Sequence, residues 1–253
     1  MNQPQFQDHF SGVANQYALF RPRYPASLFE YLASLTPSRD LAWDCATGTG
    51  QAAVVLAQHF NQVIATDASA EQIANTDPHP RVQYKVVPAE KSDLDSSSAD
   101  LITVAQALHW LDLPAFYAAV RRVAKPGGIL AVWSYAKMEI EEPRIQTLLD
   151  NFYFNTIGPF WPPERKLVEE GYRTLEFPFE EFEPPAFTIE SAMTLEEIMG
   201  YMRTWSATQR YQKAHGKDPV PELEQEIGKV WDDLDLPMTV EWPLALRVGR
   251  VTA

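Results

Sequence analysis

The stretch Asp44-Cys45-Ala46-Thr47-Gly48-Thr49-Gly50-Gln51-Ala52-Ala53 decides how this chain folds, because it joins a short buried strand to a helix. Residues 41–43, directly before it, predict the strand, and the apolar run 52–57 predicts a helix that continues to about residue 59. Gly48 and Gly50 have no Cβ atom at the point where the chain turns sharply and backbone amides can approach a ligand. A turn of this kind is typical of a nucleotide site.

Strands and helices alternate after this turn, which predicts a parallel sheet with crossover helices. An amphipathic helix is predicted over residues 114–124, and Lys125-Pro126-Gly127-Gly128 is expected to be a turn. We predict five strands, over residues 41–44, 62–67, 82–87, 99–105 and 129–133.

The second half of the chain is less regular. A helix is predicted over residues 145–157, and two short strands are predicted around the Pro184-Pro185 pair. Thr194-Leu195-Glu196-Glu197 has the pattern of a capping box and opens a helix to about residue 211. An acidic helix over 221–233 and a strand over 243–251 complete the prediction.

These elements favour one domain over residues 1–253. Within it we expect a helical lead over 1–40, a ligand-binding half over 41–136, a substrate-selecting cap over 137–215, and a C-terminal helix and final strand over 216–253.

Composition limits the classes of function. The 253 residues are 45% hydrophobic, yet no run reaches the roughly 18 apolar residues of a membrane span. Residues 1–5 contain neither basic residues nor an apolar signal core, so the expected location is cytoplasmic, without a membrane partner. The net charge of −13 argues against nucleic acid, and the single cysteine, Cys45, excludes a cysteine-based zinc site. We expect a small-molecule partner and no metal; the sequence does not indicate an oligomeric state.

Polar residues follow the ends of four predicted strands: Asp44, Asp67, Glu90 and Gln106. Ligands of open parallel sheets bind at these carboxyl ends. Asp67 lies 17 residues after Gly50, close to the spacing at which an acidic side chain accepts hydrogen bonds from ribose hydroxyls. Glu90 could accept a hydrogen bond from an adenine amino group. The alternatives are that Asp67 only caps a helix and that Glu90 is a solvated loop carboxylate.

This ordered set resembles the class I S-adenosylmethionine-dependent methyltransferases. Their first motif is usually Asp/Glu-x-Gly-x-Gly-x-Gly, and this chain has Asp44-x-Ala46-x-Gly48-x-Gly50, with alanine at the first glycine position. Asp67, the Ala89-Glu90 pair, the segment 106–110 and the turn 125–128 match later positions. The resemblance implies an α/β, doubly wound, mostly parallel seven-stranded sheet with a mainly helical cap insertion, and S-adenosylmethionine as cofactor. The cofactor-binding residues that it implies in the sheet are Asp44, Ala46, Thr47, Gly48, Gly50, Asp67, Ala68, Ala89, Glu90 and Gln106.

Two outer segments, residues 17–25 and 200–207, are similar to a subgroup that includes the trans-aconitate methyltransferase-like enzymes. This second resemblance implies that the acceptor is a small organic acid, methylated on a carboxylate oxygen. It also adds Tyr17 and Arg21 as cofactor-binding residues, with Arg21 beside the cofactor's own carboxylate.

A carboxylate acceptor is ionised at neutral pH and needs no general base, so a cationic clamp matters more than a proton acceptor. Arg203 lies on a predicted helix and can form the bidentate contact that carboxylates favour; the alternative is a surface arginine. His109 is interpreted as a pocket-shaping residue or, for a hydroxyl or amine acceptor, as a base. The substrate-binding candidates are His109, Trp110, Trp133, Tyr135, Arg203 and Trp205, with the Phe160-Trp161 loop as a further part of an apolar lid.

Two other functions fit the same sheet. Gly48-x-Gly50-x-x-Ala53 also matches a nicotinamide dinucleotide fingerprint, and Asp67 would serve that ribose equally well. Asp44 argues against this oxidoreductase because its charge would lie near a pyrophosphate, whereas it favours a cationic cofactor. The remaining alternative is a non-catalytic protein that binds S-adenosylmethionine as a sensor or scaffold.

Overall fold

The computed structural model describes residues 22–231, 233 and 236–252. The helices are α1 (Ala26–Leu35), α2 (Gln51–His59), α3 (Ala70–Ala74), α4 (Leu113–Val123), α5 (Pro143–Asn151), α6 (Arg165–Glu169), α7 (Leu195–Arg203), α8 (Ser206–His215) and α9 (Val220–Gly228). The strands are β1 (Leu41–Cys45), β2 (Gln62–Asp67), β3 (Val82–Val86), β4 (Ala99–Ala105), β5 (Ala124–Tyr135), β6 (Glu139–Ile140), β7 (Glu180–Phe182), β8 (Phe187–Met193) and β9 (Met238–Arg250).

The described strands form one mixed sheet in the order β3-β2-β1-β4-β5-β9-β6, with β7 and β8 also paired to β9. Strands β1 to β5 are parallel, and β9 runs antiparallel to β5. Asp44 is in register with Ala65 of β2 and Thr103 of β4, so the ends of the three central strands lie at one edge. Nine strands are present among the described residues, two more than the seven that the resemblance implies; β7 and β8 are the two short strands predicted around Pro184-Pro185, and β6 was not predicted.

Helices cover both faces of the sheet, as a doubly wound fold requires. On one face, α1 and α2 pack through residues such as Phe29 and Leu56 against buried Val63 and Trp133. On the other face, α4 packs through Phe116, Val120 and Val123 against the opposite side of β1, β4 and β5. The expected α/β fold class is confirmed.

The prediction of the β4–β5 connection was wrong in its detail. Residues 125–128 belong to β5 and do not form a free turn. The register between β4 and β5 shifts here, because Ala99 pairs with Ala124 and the next pair is Leu101 with Ile129. The extra residues form a bulge, with Gly127 at a φ of +77° and Lys125 paired to buried Asp100 at 3.0 Å. Glycine and proline therefore mark an irregular strand here.

The cap helices differ in their boundaries from the prediction. The helix expected from Thr194 to about residue 211 begins with the predicted capping box but breaks at Thr204-Trp205 into α7 and α8. The helix expected over 145–157 is α5 followed by a π-helical turn, Phe152–Thr156. Helices α5, α7 and α9 share one apolar cluster with the β9 residue Trp242.

Candidate functional site

The turn between β1 and α2 has three residues in left-handed conformations. Their φ angles are +52° at Ala46, +57° at Gly48 and +87° at Gly50. Glycine adopts this region at little cost, whereas a side chain at Ala46 is strained there. The alanine that departs from the usual motif therefore keeps the turn but stores local strain.

Gly50 has a second constraint, because its backbone lies directly against the Tyr84 side chain. A Cβ atom at Gly50 would lie 2.7 Å from the Tyr84 hydroxyl oxygen, whereas a Cβ atom at Gly48 would have Gln72 as its nearest neighbour at 3.8 Å. Both glycines need a positive φ, but only Gly50 lacks space for a side chain.

This difference predicts the effects of two matched substitutions. Gly50→Ala is expected to lower the free energy of unfolding by about 2–4 kcal/mol, through strain plus overpacking, and Gly48→Ala by about 1 kcal/mol, through strain alone. Urea unfolding of both variants measures the difference. Equal losses would show that the Tyr84 contact is not limiting.

Asp44 is almost fully buried at the end of β1. It accepts hydrogen bonds from the hydroxyl groups of Thr47 and Thr103, the latter at 2.7 Å. Burial raises the pKa of Asp44 to about 6, against the lowering effect of these hydrogen bonds. The negative charge of nearby Asp67 is a smaller contribution to the same raised pKa. A buried carboxylate without a cation is costly, so this position favours a cationic ligand.

Asp67 connects the two loops at the ends of β1 and β2. Its carboxylate accepts hydrogen bonds from the backbone N–H of Gly48 at 2.9 Å and of Ser69 at 2.8 Å. Ala68 lies between them, and Ser69, not Asp67, caps α3 by accepting from the Gln72 N–H. The helix-cap alternative for Asp67 therefore does not describe its contacts.

The other predicted positions lie after β3 and β4. Ala89 is buried. The Glu90 carboxylate accepts a hydrogen bond from the Asp112 N–H, with 3.0 Å between the two heavy atoms, and so holds the start of α4. Gln106 has a φ of +57°; its N–H donates to the Trp133 carbonyl and its side-chain amide to the Tyr135 carbonyl. The ends of β4 and β5 are thereby fixed to each other. Tyr17 and Arg21 lie outside the described residues.

A pocket that is partly open to solvent lies between these strand ends and helices α6, α7 and α8. Half of the residues in its wall have aromatic rings. It is lined by Gln106, His109, Trp110, Tyr135, Ala136, Trp161, Pro162, Arg165, Val168, Tyr201, Trp205 and Ser206.

Four of the six substrate-binding candidates line this pocket: His109, Trp110, Tyr135 and Trp205. Trp133 does not; its side chain is fully buried and packs edge-on against Tyr24 and Phe29.

Arg203, the expected carboxylate clamp, is also absent from the pocket wall. Its guanidinium pairs with Asp218 at 3.0 Å and with Glu224 at 3.4 Å, which connects α7 to the start of α9. The structure thus places the Arg203 side chain in ion pairs between α7 and the segment that includes α9, and not among the residues that line this pocket.

Arg165 is the arginine that lines the pocket, and it was not among the predicted substrate-binding residues; its closeness to Trp161 in the sequence was the one available signal. Its Cζ lies 4.6 Å from the centroid of the Trp161 ring, a cation–π contact. Its Nε donates to the Tyr153 hydroxyl at 2.7 Å, and that hydroxyl donates to Glu169 at 2.6 Å. Among the described residues, these contacts leave the two Nη groups of Arg165 without a hydrogen-bond acceptor.

His109 is the histidine of the pocket wall. Its Nδ1 lies 2.9 Å from the Tyr172 hydroxyl, and its ring packs against those of Trp110 and Tyr172. Burial lowers the pKa of His109 to about 3, with the positive charge of Arg165 as a second, smaller cause. The imidazole is therefore neutral at physiological pH and a weak base.

Two kinds of structural feature are absent from the described part of the chain. No helix there is long and apolar enough to cross a bilayer. No group of three or more histidine, cysteine, aspartate or glutamate side chains there is arranged to hold a metal ion.

Known proteins match this chain both in the sheet and over nearly its full length. A family model described as a methyltransferase domain matches residues 43–132. A protein of Dictyostelium discoideum that is named as a methyltransferase is 37% identical, over 91% of this chain and 89% of its own. A yeast protein named as an S-adenosylmethionine-dependent methyltransferase is 22% identical over 89% of this chain and 91% of its own.

A solved structure gives the same result. A protein of Anaeromyxobacter dehalogenans that is named as a type II methyltransferase superposes with a TM-score of 0.88 and 42% identity, over 92% of this chain and 99% of its own. A Bacillus halodurans protein at 18% identity and a TM-score of 0.50 shares the fold.

Proposed function

The chain belongs to the class I S-adenosylmethionine-dependent methyltransferases, and from this membership we propose that it methylates a carboxylate oxygen of a small organic acid. It is an enzyme, and its cofactor is S-adenosylmethionine. The nicotinamide oxidoreductase alternative is thereby set aside. The acceptor and the residues that hold each ligand are the proposal.

The proposed cofactor site is the edge formed by the ends of β1 to β4. Asp44 supplies negative charge toward the cationic amino-acid part, Asp67 accepts from the ribose hydroxyls, and Glu90 lies on the adenine side. The remaining members are Ala46, Thr47, Gly48, Gly50, Ala68, Ala89 and Gln106, with Tyr17 and Arg21 proposed from the resemblance alone.

The observation that carries the proposed acceptor class is the charge of the pocket wall. Arg165 is its charged side chain, and no aspartate or glutamate is among the described residues that line it. Behind the wall, the Arg165 Nε lies 3.7 Å from the Glu169 carboxylate, whereas its two Nη groups have no acceptor among the described residues. In a protein with a net charge of −13, a guanidinium in the pocket wall with no acidic side chain beside it in that wall favours an anionic ligand.

The start of α8 adds to this preference. Ser206 is the first residue of α8 and lines the pocket, and the side chain of the N-cap residue, Trp205, makes no capping hydrogen bond. The first intrahelical hydrogen bond runs from the Gln209 N–H to the Trp205 carbonyl, so the preceding N–H groups lack intrahelical acceptors. A helix N-terminus stabilises negative charge nearby. Arg165 and α8 thus both favour an acid.

The segment 200–207, which carries the similarity to trans-aconitate methyltransferase-like enzymes, contributes Tyr201, Trp205 and Ser206 to the same pocket. This position supports an acceptor of that class: a small acid whose body packs between aromatic rings. Bound S-adenosylmethionine supplies an electrophilic methyl group on a positively charged sulfur. A carboxylate needs no deprotonation before it accepts that group.

The acceptor can be identified with methyl-labelled S-adenosylmethionine and a metabolite extract, analysed by mass spectrometry. A panel of small acids, each paired with its primary amide and its alcohol, then tests the class. We expect label in the acids alone. Label in amides or alcohols would overturn the carboxylate assignment, and no labelled product from any source would favour the non-catalytic sensor.

Asp44 gives a pH prediction for cofactor binding. If its ionised form binds the cationic cofactor, affinity is full above about pH 7 and falls as the pH drops through the pKa of about 6. Roughly tenfold weaker binding is expected at pH 5 than at pH 7.5, because only about a tenth of the Asp44 side chains are ionised at pH 5. Calorimetry on the native protein and on Asp44→Asn measures this. The variant should lose the pH dependence; the same dependence in both proteins would assign it to another group.

A further inference from the structure

His109 and Tyr172 form a buried pair at the pocket wall. They lie 63 positions apart in sequence, and their ring centroids are 5.8 Å apart in a stacked arrangement. Tyr172 is fully buried, whereas His109 is partly buried and lines the pocket. The hydrogen bond between Nδ1 and the phenol thus joins a buried group to one that faces the acceptor.

The Tyr172 hydroxyl has one proton to donate. The group that accepts this proton determines which nitrogen of the neutral His109 ring carries the ring proton. Among the described residues, Nδ1 of His109 is the acceptor within hydrogen-bond distance of the Tyr172 hydroxyl. Leaving a buried O–H donor without an acceptor costs about 1–3 kcal/mol. Tyr172 therefore donates to Nδ1, and the proton of the neutral imidazole resides on Nε2.

The backbone at Gly171 and Tyr172, which positions the Tyr172 side chain, has a left-handed conformation. Gly171 and Tyr172 both have left-handed φ angles, +60° and +59°, and a Cβ atom at Gly171 would lie 2.7 Å from the Cβ of Ala245. A tyrosine in this region is strained, and strained residues persist where the surrounding structure fixes them. The segment that begins with Arg165 on α6 thus places a guanidinium and this phenol near the same histidine.

We propose that His109 is an acceptor-binding residue that donates a hydrogen bond from Nε2–H into the pocket, with Tyr172 as the positioning residue that fixes this tautomer. This inference rests on the proposed carboxylate acceptor and deepens it: one carboxylate oxygen accepts from His109 while Arg165 compensates the charge. The His109 Nε2–H needs a hydrogen-bond acceptor on the bound substrate. An amine substrate presents N–H donors to this position and is therefore disfavoured.

The low pKa of His109 agrees with this role. Tyr172 and Arg165 are the titratable groups that act on the ring; Tyr172 is neutral because burial raises its own pKa, and Arg165 is positive. A protonated imidazole beside a guanidinium is disfavoured. His109 therefore keeps one donor proton over the whole physiological pH range.

Nitrogen NMR on protein labelled with ¹⁵N-histidine tests the tautomer without any acceptor. Five histidines are present, and the His109→Gln spectrum identifies the signals of His109 by their loss. We expect an unprotonated Nδ1 and a protonated Nε2 at pH 7. In Tyr172→Phe, which keeps the ring stack, the Nδ1 signal should shift and the second tautomer should appear. A protonated Nδ1 in the native protein, or a spectrum unchanged in Tyr172→Phe, would overturn the pairing.

Kinetics test the contact with the acceptor. His109→Leu removes the donor and should raise the acceptor KM by about tenfold, whereas His109→Gln, which has an amide N–H but cannot act as a base, should retain most of the affinity. Equal loss in both variants would overturn the donor role. Because the NMR result does not depend on the acceptor, it stands if no acid is methylated, so failure of the proposed function and failure of this inference are distinguishable.

Discussion

Replacing Asp67 with alanine is expected to weaken S-adenosylmethionine binding by at least tenfold. The Asp67 carboxylate lies at the carboxyl end of β2, where it accepts hydrogen bonds from two backbone N–H groups, and each oxygen of a carboxylate can accept more than one hydrogen bond. Hydrogen bonds to a charged group contribute about 1.5–3 kcal/mol, so losing them corresponds to a factor of roughly 10 to 150 in affinity.

Isothermal calorimetry with S-adenosylmethionine measures this effect. Asp67→Asn is the matched control, because its side-chain oxygen still accepts one hydrogen bond, and its loss of affinity should be smaller. Thermal unfolding of the cofactor-free variants separates binding from damage to the Gly48 and Ser69 contacts. Unchanged affinity in Asp67→Ala would remove the ribose assignment.

Replacing Arg165 with methionine is expected to raise the acceptor KM by about a hundredfold while cofactor affinity stays unchanged. The guanidinium is held by Tyr153 and by stacking on Trp161, and its two Nη groups have no acceptor among the described residues. Loss of a pre-positioned charged donor pair costs about 3 kcal/mol, which corresponds to that factor. Glu169 keeps contact with solvent, so it remains hydrated after the change.

Arg203→Met is the control for this experiment because Arg203 is an arginine of the same cap whose charge is paired with Asp218 and Glu224. It should lower thermal stability modestly and leave the acceptor KM near its native value. If Arg203→Met raised KM and Arg165→Met did not, the assignment of the clamp to Arg165 would be wrong.

The sheet could be predicted because its signals are local. The strands predicted over 62–67 and 99–105 match β2 and β4, since apolar runs between polar turns identify buried parallel strands without knowledge of their neighbours. The irregular start of β5 was not predicted because Lys125 is held there by Asp100, a contact that depends on the assembled sheet.

The acceptor side of the site depends on tertiary contacts, and here sequence patterns were insufficient. Arg203 and Arg165 both lie near tryptophans in the sequence, but ion pairs to α9 hold Arg203 away from the pocket. His109 was recognised as a pocket residue, yet its partner Tyr172 is 63 positions away on another segment. No local pattern reports such a pair, and none distinguishes a histidine that donates from one that acts as a base.

The central claim, transfer of a methyl group to a carboxylate, is tested most directly by the chemistry of the isolated product. The enzyme, an acid from the panel and methyl-labelled S-adenosylmethionine are incubated, and the labelled product is treated with mild alkali. A methyl ester should hydrolyse and release all of its label as methanol. A product that retains the label on carbon, nitrogen or an ether oxygen after this treatment would contradict carboxylate methylation.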